Sequence, residues 1–153
     1  MIVRTVGDTV NRNPEFEIVK IQKQSHIELP MYGALIEAGF PSPADDYLET
    51  KLDLNDLLIQ RPAATFLVRV RGSSMKDVGI LDGSILVVDS SIDPQNGMIV
   101  LAIVDNEFTV KRLVKQQDGW VLRPDNDAYN DILMTSETEI RGVVTACIQK
   151  FGF

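Results

Sequence analysis

From Ala64 onward, short apolar-rich runs recur between turn residues, and runs of this length bounded by turn pairs predict strands. Phe66-Leu-Val-Arg-Val70 opens the series, followed by Ile85–Val88 after Asp82-Gly83 and by Met98–Val104 after Asn96-Gly97. Asp105-Asn106 is a two-residue turn that predicts a tight hairpin from Met98–Val104 into Phe108–Val114. Asp118-Gly119 leads into Trp120–Arg123, and Glu139–Lys150 closes the set. Short strands at this spacing, with turn pairs between them, predict a mainly β chain: a compact antiparallel β domain with barrel-like closure. No internal repeat and no low-complexity segment interrupts it.

The first part of the chain reads differently. Residues 1–31 are polar and irregular, with Asn11, Asn13 and Pro14 breaking any period, and offer one short strand around Phe16–Gln22. Pro41 and Pro43 hold the residues before them extended. Residues 1–43 are therefore expected to form a mobile or loosely docked N-terminal arm, and residues 44–153 the β domain. A helix is expected over residues 45–58, with Asp53 placed to cap a second short turn in Asp-Leu-Asn-Asp-Leu-Leu-Ile59.

At 153 residues the chain can bury a core without disulfides or metal. Its formal net charge of −7 argues against broad binding to phosphate backbones. Residues 1–31 are also too short, and lack the helical period, for a helix-turn-helix domain. No direct specific DNA binding is expected, and any link to DNA should run through protein partners. No apolar run reaches the roughly 18 residues of a membrane span, and the N-terminus has no apolar signal core, so a cytoplasmic protein is expected. The one cysteine, Cys147, sits in the apolar run Val143–Ile148 and is expected as a small buried hydrophobe. One His and one Cys argue against a structural zinc site, and no metal or cofactor is expected.

The chemistry centres on Arg71-Gly72-Ser73-Ser74-Met75, a glycine-led turn after the strand Phe66–Val70. A serine at the end of a strand can expose its oxygen while nearby backbone N–H groups converge on a developing oxyanion. Taken alone, Gly-Ser-Ser is an ordinary turn. A serine nucleophile also needs a base, and the single histidine, His26, lies in the arm, which disfavours a Ser-His-Asp triad and leaves a Ser-Lys dyad. In Phe108–Val114, Lys111 shares a face with Thr109 and Leu113, while Arg112 shares one with Phe108 and Val110. Alternation does not decide which of the two is buried. Chemistry favours Lys111, since a guanidinium cannot give up its proton whereas a desolvated lysine can.

From about Tyr32 to Lys150 the chain resembles the LexA-type self-cleaving peptidases, and most closely their UmuD branch. The resemblance is carried by Ala38-Gly39-Phe-Pro-Ser-Pro-Ala44, Leu52-Asp-Leu-Asn55 with Leu57-Leu-Ile59, Gly72-Ser-Ser-Met75 with Gly79-Ile80 and Asp82-Gly83, and Glu107–Leu113. The 37-residue separation of Ser74 and Lys111 also fits it. The resemblance implies a β domain of the LexA/signal-peptidase type with Ser74 as nucleophile and Lys111 as general base. It further implies an oxyanion hole made by the Ser73 and Ser74 backbone N–H groups, and a self-cleavage site between Ala38 and Gly39. It implies stimulation by the RecA–single-stranded DNA filament after DNA damage. The product, residues 39–153, would be a homodimer serving a UmuC-type Y-family polymerase in translesion synthesis.

Two departures qualify it: the chain lacks the DNA-binding domain of LexA repressors, and the arm before Ala38 is longer than the branch leads one to expect. The rival readings are a signal-peptidase-like enzyme, a LexA-type regulator cleaved in the SOS response, and a non-catalytic protein-binding module in which Ser74 and Lys111 are structural.

Overall fold

Antiparallel strands carry most of the computed structural model, which describes residues 16–20, 26–32, 38–39 and 48–152. In chain order these are β1 (Phe16–Lys20), β2 (Glu28–Tyr32), β3 (Leu48–Asp53), β4 (Thr65–Val70), β5 (Ile85–Asp89) and β6 (Ile99–Val104). They continue as β7 (Glu107–Gln116), β8 (Gly119–Arg123), β9 (Ile132–Leu133) and β10 (Glu139–Ile148). Eight of them form one sheet in the order β1-β4-β5-β10-β6-β7-β8-β9, and β2 pairs with β3 in a second, two-stranded sheet. Among the described residues no helix is long and apolar enough to cross a membrane.

The expected strands from Phe66 onward are all present, within a residue or two at most ends. Asp105 and Asn106 both have positive φ, 50° and 64°, the geometry that lets a two-residue turn follow the twist of β6 and β7. Among the described residues the hydrogen-bonded order does not close on itself. β1 and β9 are the two ends of the hydrogen-bonded order among the described residues.

The helix expected over 45–58 shrinks to α1, Leu54–Leu58. Residues 48–53 are strand β3, because β2 offers them backbone partners from Glu28↔Asp53 to Tyr32↔Leu48. Residues 45–47 lie outside the described residues. Asp53 does cap the short helix, accepting from the Asn55 N–H at 2.7 Å. It also accepts from the Ile27 N–H at 2.9 Å and lies 2.7 Å from His26 Nδ1, so one buried carboxylate ties the start of β2 to the start of α1. Burial opposes its charge, but the N–H groups of Asn55 and Ile27 and the neighbouring His26 outweigh that and hold the carboxyl below the ordinary range. Within the expected arm, β1 and β2 are thus docked against β4 and β3. The rest of the strand expected over Phe16–Gln22, residues 21 and 22, lies outside the described residues.

Two apolar clusters fill the domain. One joins Val68, Val70, Met75, Ile80, Leu86, Val88, Leu101 and Val110; the other joins Val100, Ala102, Leu113, Leu122 and Val143. Cys147 belongs to neither. It is exposed, contrary to the expectation from its apolar neighbours. A register shift between Val144 and Ala146 resets the facing of β10 there, and beyond Val143 the strand pairs with β5 only.

Candidate active site

Ser74 owes its position to its neighbours on either side. Strand β4 runs into Gly72, whose φ of +91° lies in the left-handed region that glycine adopts without strain, and the chain reverses there. The Gly72 N–H donates to Asp82 Oδ1 at 2.8 Å, fixing the start of the turn against the loop before β5. One residue past Ser74, Met75 is only 2% exposed and sits in the first apolar cluster. A short 3-10 turn, Lys76–Val78, follows, and the Ile80 N–H donates back to the Met75 carbonyl. Ser74 is left half-buried between an exposed Ser73 and an anchored Met75.

Lys111 is held by the same core. Val110 packs in the cluster that contains Met75, and Leu113 packs in the second cluster, so both faces of β7 are covered along this stretch. Lys111 itself is 8% exposed. Its Nζ donates to Ser74 Oγ at 3.0 Å, to Thr109 Oγ1 at 2.8 Å and to the Val110 carbonyl oxygen at 3.0 Å. Arg112, left open as the alternative by the alternation, has its side chain engaged elsewhere. Its guanidinium pairs with Asp125 through Nε and Nη2 and donates to the Gly97 carbonyl oxygen.

That Arg112–Asp125 pair is part of a second support. The Asp125 carbonyl accepts from the Asp77 N–H at 2.9 Å, and the Asp125 N–H points at Met75 Sδ at 3.3 Å. The buried Asn126 donates its side-chain N–H to the Ser73 carbonyl oxygen at 2.8 Å, and Tyr129 OH lies 3.3 Å from Ser73 Oγ. The segment after β8 thus braces the serine turn from outside. Nothing in the sequence marked Asn126 or Asp125, which meet the turn across about fifty positions. Thr109 was legible as a face-mate of Lys111, but its contact with the amine was not.

Among the residues singled out from sequence, Ser74 and Lys111 are brought into hydrogen-bond contact. Neither the Ser73 nor the Ser74 backbone N–H is engaged by another described residue. Ala38 and Gly39 form an exposed turn in the connection between β2 and β3. His26 is not in the site. It faces Asp53, with Asp56 and Glu28 nearby.

A lysine Nζ at hydrogen-bond distance from a half-buried serine hydroxyl is the geometry that a lysine base acting on a serine nucleophile would require.

Residues 30–145 match the family model described as Peptidase S24-like. Protein SamA of Salmonella typhimurium is 50% identical over 121 residues, covering 79% of this chain and 85% of that protein. Protein ImpA of Escherichia coli is 54% identical over 122 residues, covering 79% and 83%. Protein MucA of Escherichia coli is 41% identical over 128 residues, covering 76% and 82%.

Proposed function

This chain is a UmuD-like member of the peptidase S24 family, and from that premise we propose that it is a serine endopeptidase that cuts its own chain between Ala38 and Gly39. The single observation that carries the reading is the 3.0 Å contact of Lys111 Nζ with Ser74 Oγ.

In this mechanism the Lys111 amine takes the Ser74 hydroxyl proton while Oγ attacks the Ala38 carbonyl carbon. The carbonyl oxygen becomes an oxyanion facing the Ser73 and Ser74 N–H groups. Collapse breaks the carbon–nitrogen bond, and the Gly39 amine leaves with the proton that Lys111 had taken. Lys111, neutral again, then deprotonates a water molecule that attacks the acyl-serine. Ser74 is restored and a carboxylate is left on Ala38. Small residues at this bond suit the step, because the segment must enter a narrow cleft in extended form. The chain carries this chemistry without a metal or cofactor in this reading.

The partners follow from the same family. The RecA–single-stranded DNA filament favours the conformer in which the scissile segment is in the cleft, which makes cleavage an SOS response to DNA damage. The product, residues 39–153, is a homodimer that serves a UmuC-type Y-family polymerase as its accessory subunit. The arm up to about residue 43 is the regulatory part, and residues 44–153 form the peptidase domain. The setting is the cytoplasm.

Intact mass before and after incubation at about pH 10, near the ordinary lysine pKa, tests activity and cut position together. Two fragments that divide between Ala38 and Gly39, absent in Ser74→Ala, are the expected result. A chain that stays whole under these conditions would favour the non-catalytic binding module.

A further inference from the structure

Strand β1 precedes the segment that matches the family model, residues 30–145, yet it pairs with the strand that delivers the nucleophile. We propose that the outer edge of β4 is the docking edge for the scissile segment of this chain, and that β1 is an autoinhibitory strand that occupies it. The proposal deepens the self-cleavage reading and rests on it.

The register is antiparallel, from Phe16↔Val70 to Lys20↔Phe66. Val70 turns its N–H to the Ser84 carbonyl and its own carbonyl to the Gly83 N–H, and the Ala64 carbonyl accepts from Ser90. Even-numbered residues here therefore direct their backbone groups toward β5 and its flanks. Alternation sends the N–H and C=O groups of Leu67 and Arg69 to the opposite edge, where Val19 and Glu17 stand. That edge ends at Val70, one residue before Arg71-Gly72-Ser73-Ser74. A chain laid extended along it, advancing about 3.3 Å per residue, arrives at the serine turn.

Peptidases and adaptor domains commonly take extended segments by strand addition to a sheet edge, where main-chain hydrogen bonds supply the affinity. Here the edge is already filled, while Ala38 and Gly39 stand in an exposed turn. Both belong to the same arm, so each is present at the high effective concentration of a tethered ligand. Only chains whose β1 has left β4 can react, and the open fraction multiplies the rate.

Proline substitutions in the full-length chain separate occupancy from mere presence of the arm. Val19→Pro or Glu17→Pro removes an N–H that faces β4. Ile18→Pro removes one that faces away from β4, where no described strand pairs and an edge strand tolerates proline. Self-cleavage should rise about tenfold in Val19→Pro and Glu17→Pro and stay near the parental rate in Ile18→Pro. In the Ser74→Ala background, amide exchange at Leu67 and Arg69 should quicken with the first two only.

Exposed Leu67 and Arg69 amides with unchanged or slower cleavage would overturn the proposal. If the parent and every variant stay uncut, self-cleavage itself fails. The edge is then decided by a synthetic peptide of residues 33–44 offered to the Ser74→Ala proteins. Binding about tenfold tighter to Val19→Pro than to Ile18→Pro supports competition for the edge, and equal binding overturns it.

Discussion

Lys111 Nζ stands 2.8 Å from Thr109 Oγ1, two residues back on the same strand and nearer than Ser74 Oγ at 3.0 Å. The amine is therefore steered by a neighbour on its own strand while it addresses the serine across the sheet. Thr109→Val keeps the shape and removes the hydroxyl. It should slow self-cleavage about tenfold at fixed pH, whereas Thr109→Ser, which keeps the oxygen, should stay close to the parent. Equal rates in all three proteins would leave Thr109 a bystander. The time course of intact mass reads the comparison.

Ser74→Ala and Lys111→Ala should each reduce self-cleavage at least about a thousandfold without unfolding the domain. Ser73→Ala should slow it only modestly, since alanine keeps the main-chain N–H that the mechanism uses. An inactive Ser73→Ala beside an active Ser74→Ala would reverse the assignment of the nucleophile.

Cleavage should accelerate with rising pH, because only the amine form of lysine accepts a proton. Lys111→Arg should be inactive at every pH, since a guanidinium stays protonated. A parental rate that is flat from about pH 6 to about pH 10, a range reaching the ordinary lysine value, would remove lysine from the role of base.

The parts of this site that were legible in the sequence are those written in local pattern. Strands β4 to β8 and β10 announce themselves by short apolar-rich runs between turn pairs, and Asp105-Asn106 by the positive φ such a turn demands. Asp53 was legible as a cap because a helix start is a local event. What local pattern could not carry is partnership. Residues 48–53 read as helix until β2 is brought alongside, and Cys147 reads as core until the shift in β10 resets its facing. β9 has only two residues and leaves no period to find. Lys111 and Arg112 were separated on chemical grounds, and the structure adds the Asp125 partner that accounts for the arginine.

Gly142 tests the close approach of β10 to β5. A Cβ built there would lie 2.7 Å from Val88 Cγ1 and 3.0 Å from the Asp89 carbonyl oxygen. The valine methyl can turn aside, but the backbone oxygen cannot. Gly142→Ala should cost about 1–3 kcal/mol, a fall of roughly 2–12 °C in Tm for a chain of this size. An unchanged melting curve would mean that β10 can move off β5 without loss.

Asp89 should set part of the acid limb of stability. Its carboxylate is buried and accepts from the Ser91 N–H at 2.8 Å, the Ser91 hydroxyl at 2.6 Å and Arg61 Nε at 2.9 Å. Burial opposes the charge, but the Ser91 donors and the Arg61 guanidinium outweigh it and hold the carboxyl below its usual range. The unfolded chain binds that proton more readily, near the ordinary Asp value of about 3.9. The stabilisation is therefore complete above that value and is lost as pH falls through the lower folded one. Asp89→Asn keeps the size and removes the charge. Urea midpoints should show the variant clearly weaker than the parent at about pH 7, with the gap narrowing toward about pH 3 as the parental carboxylate protonates. A gap that stays constant over that range would assign the loss to packing and hydrogen-bond geometry and would remove Asp89 from the acid response.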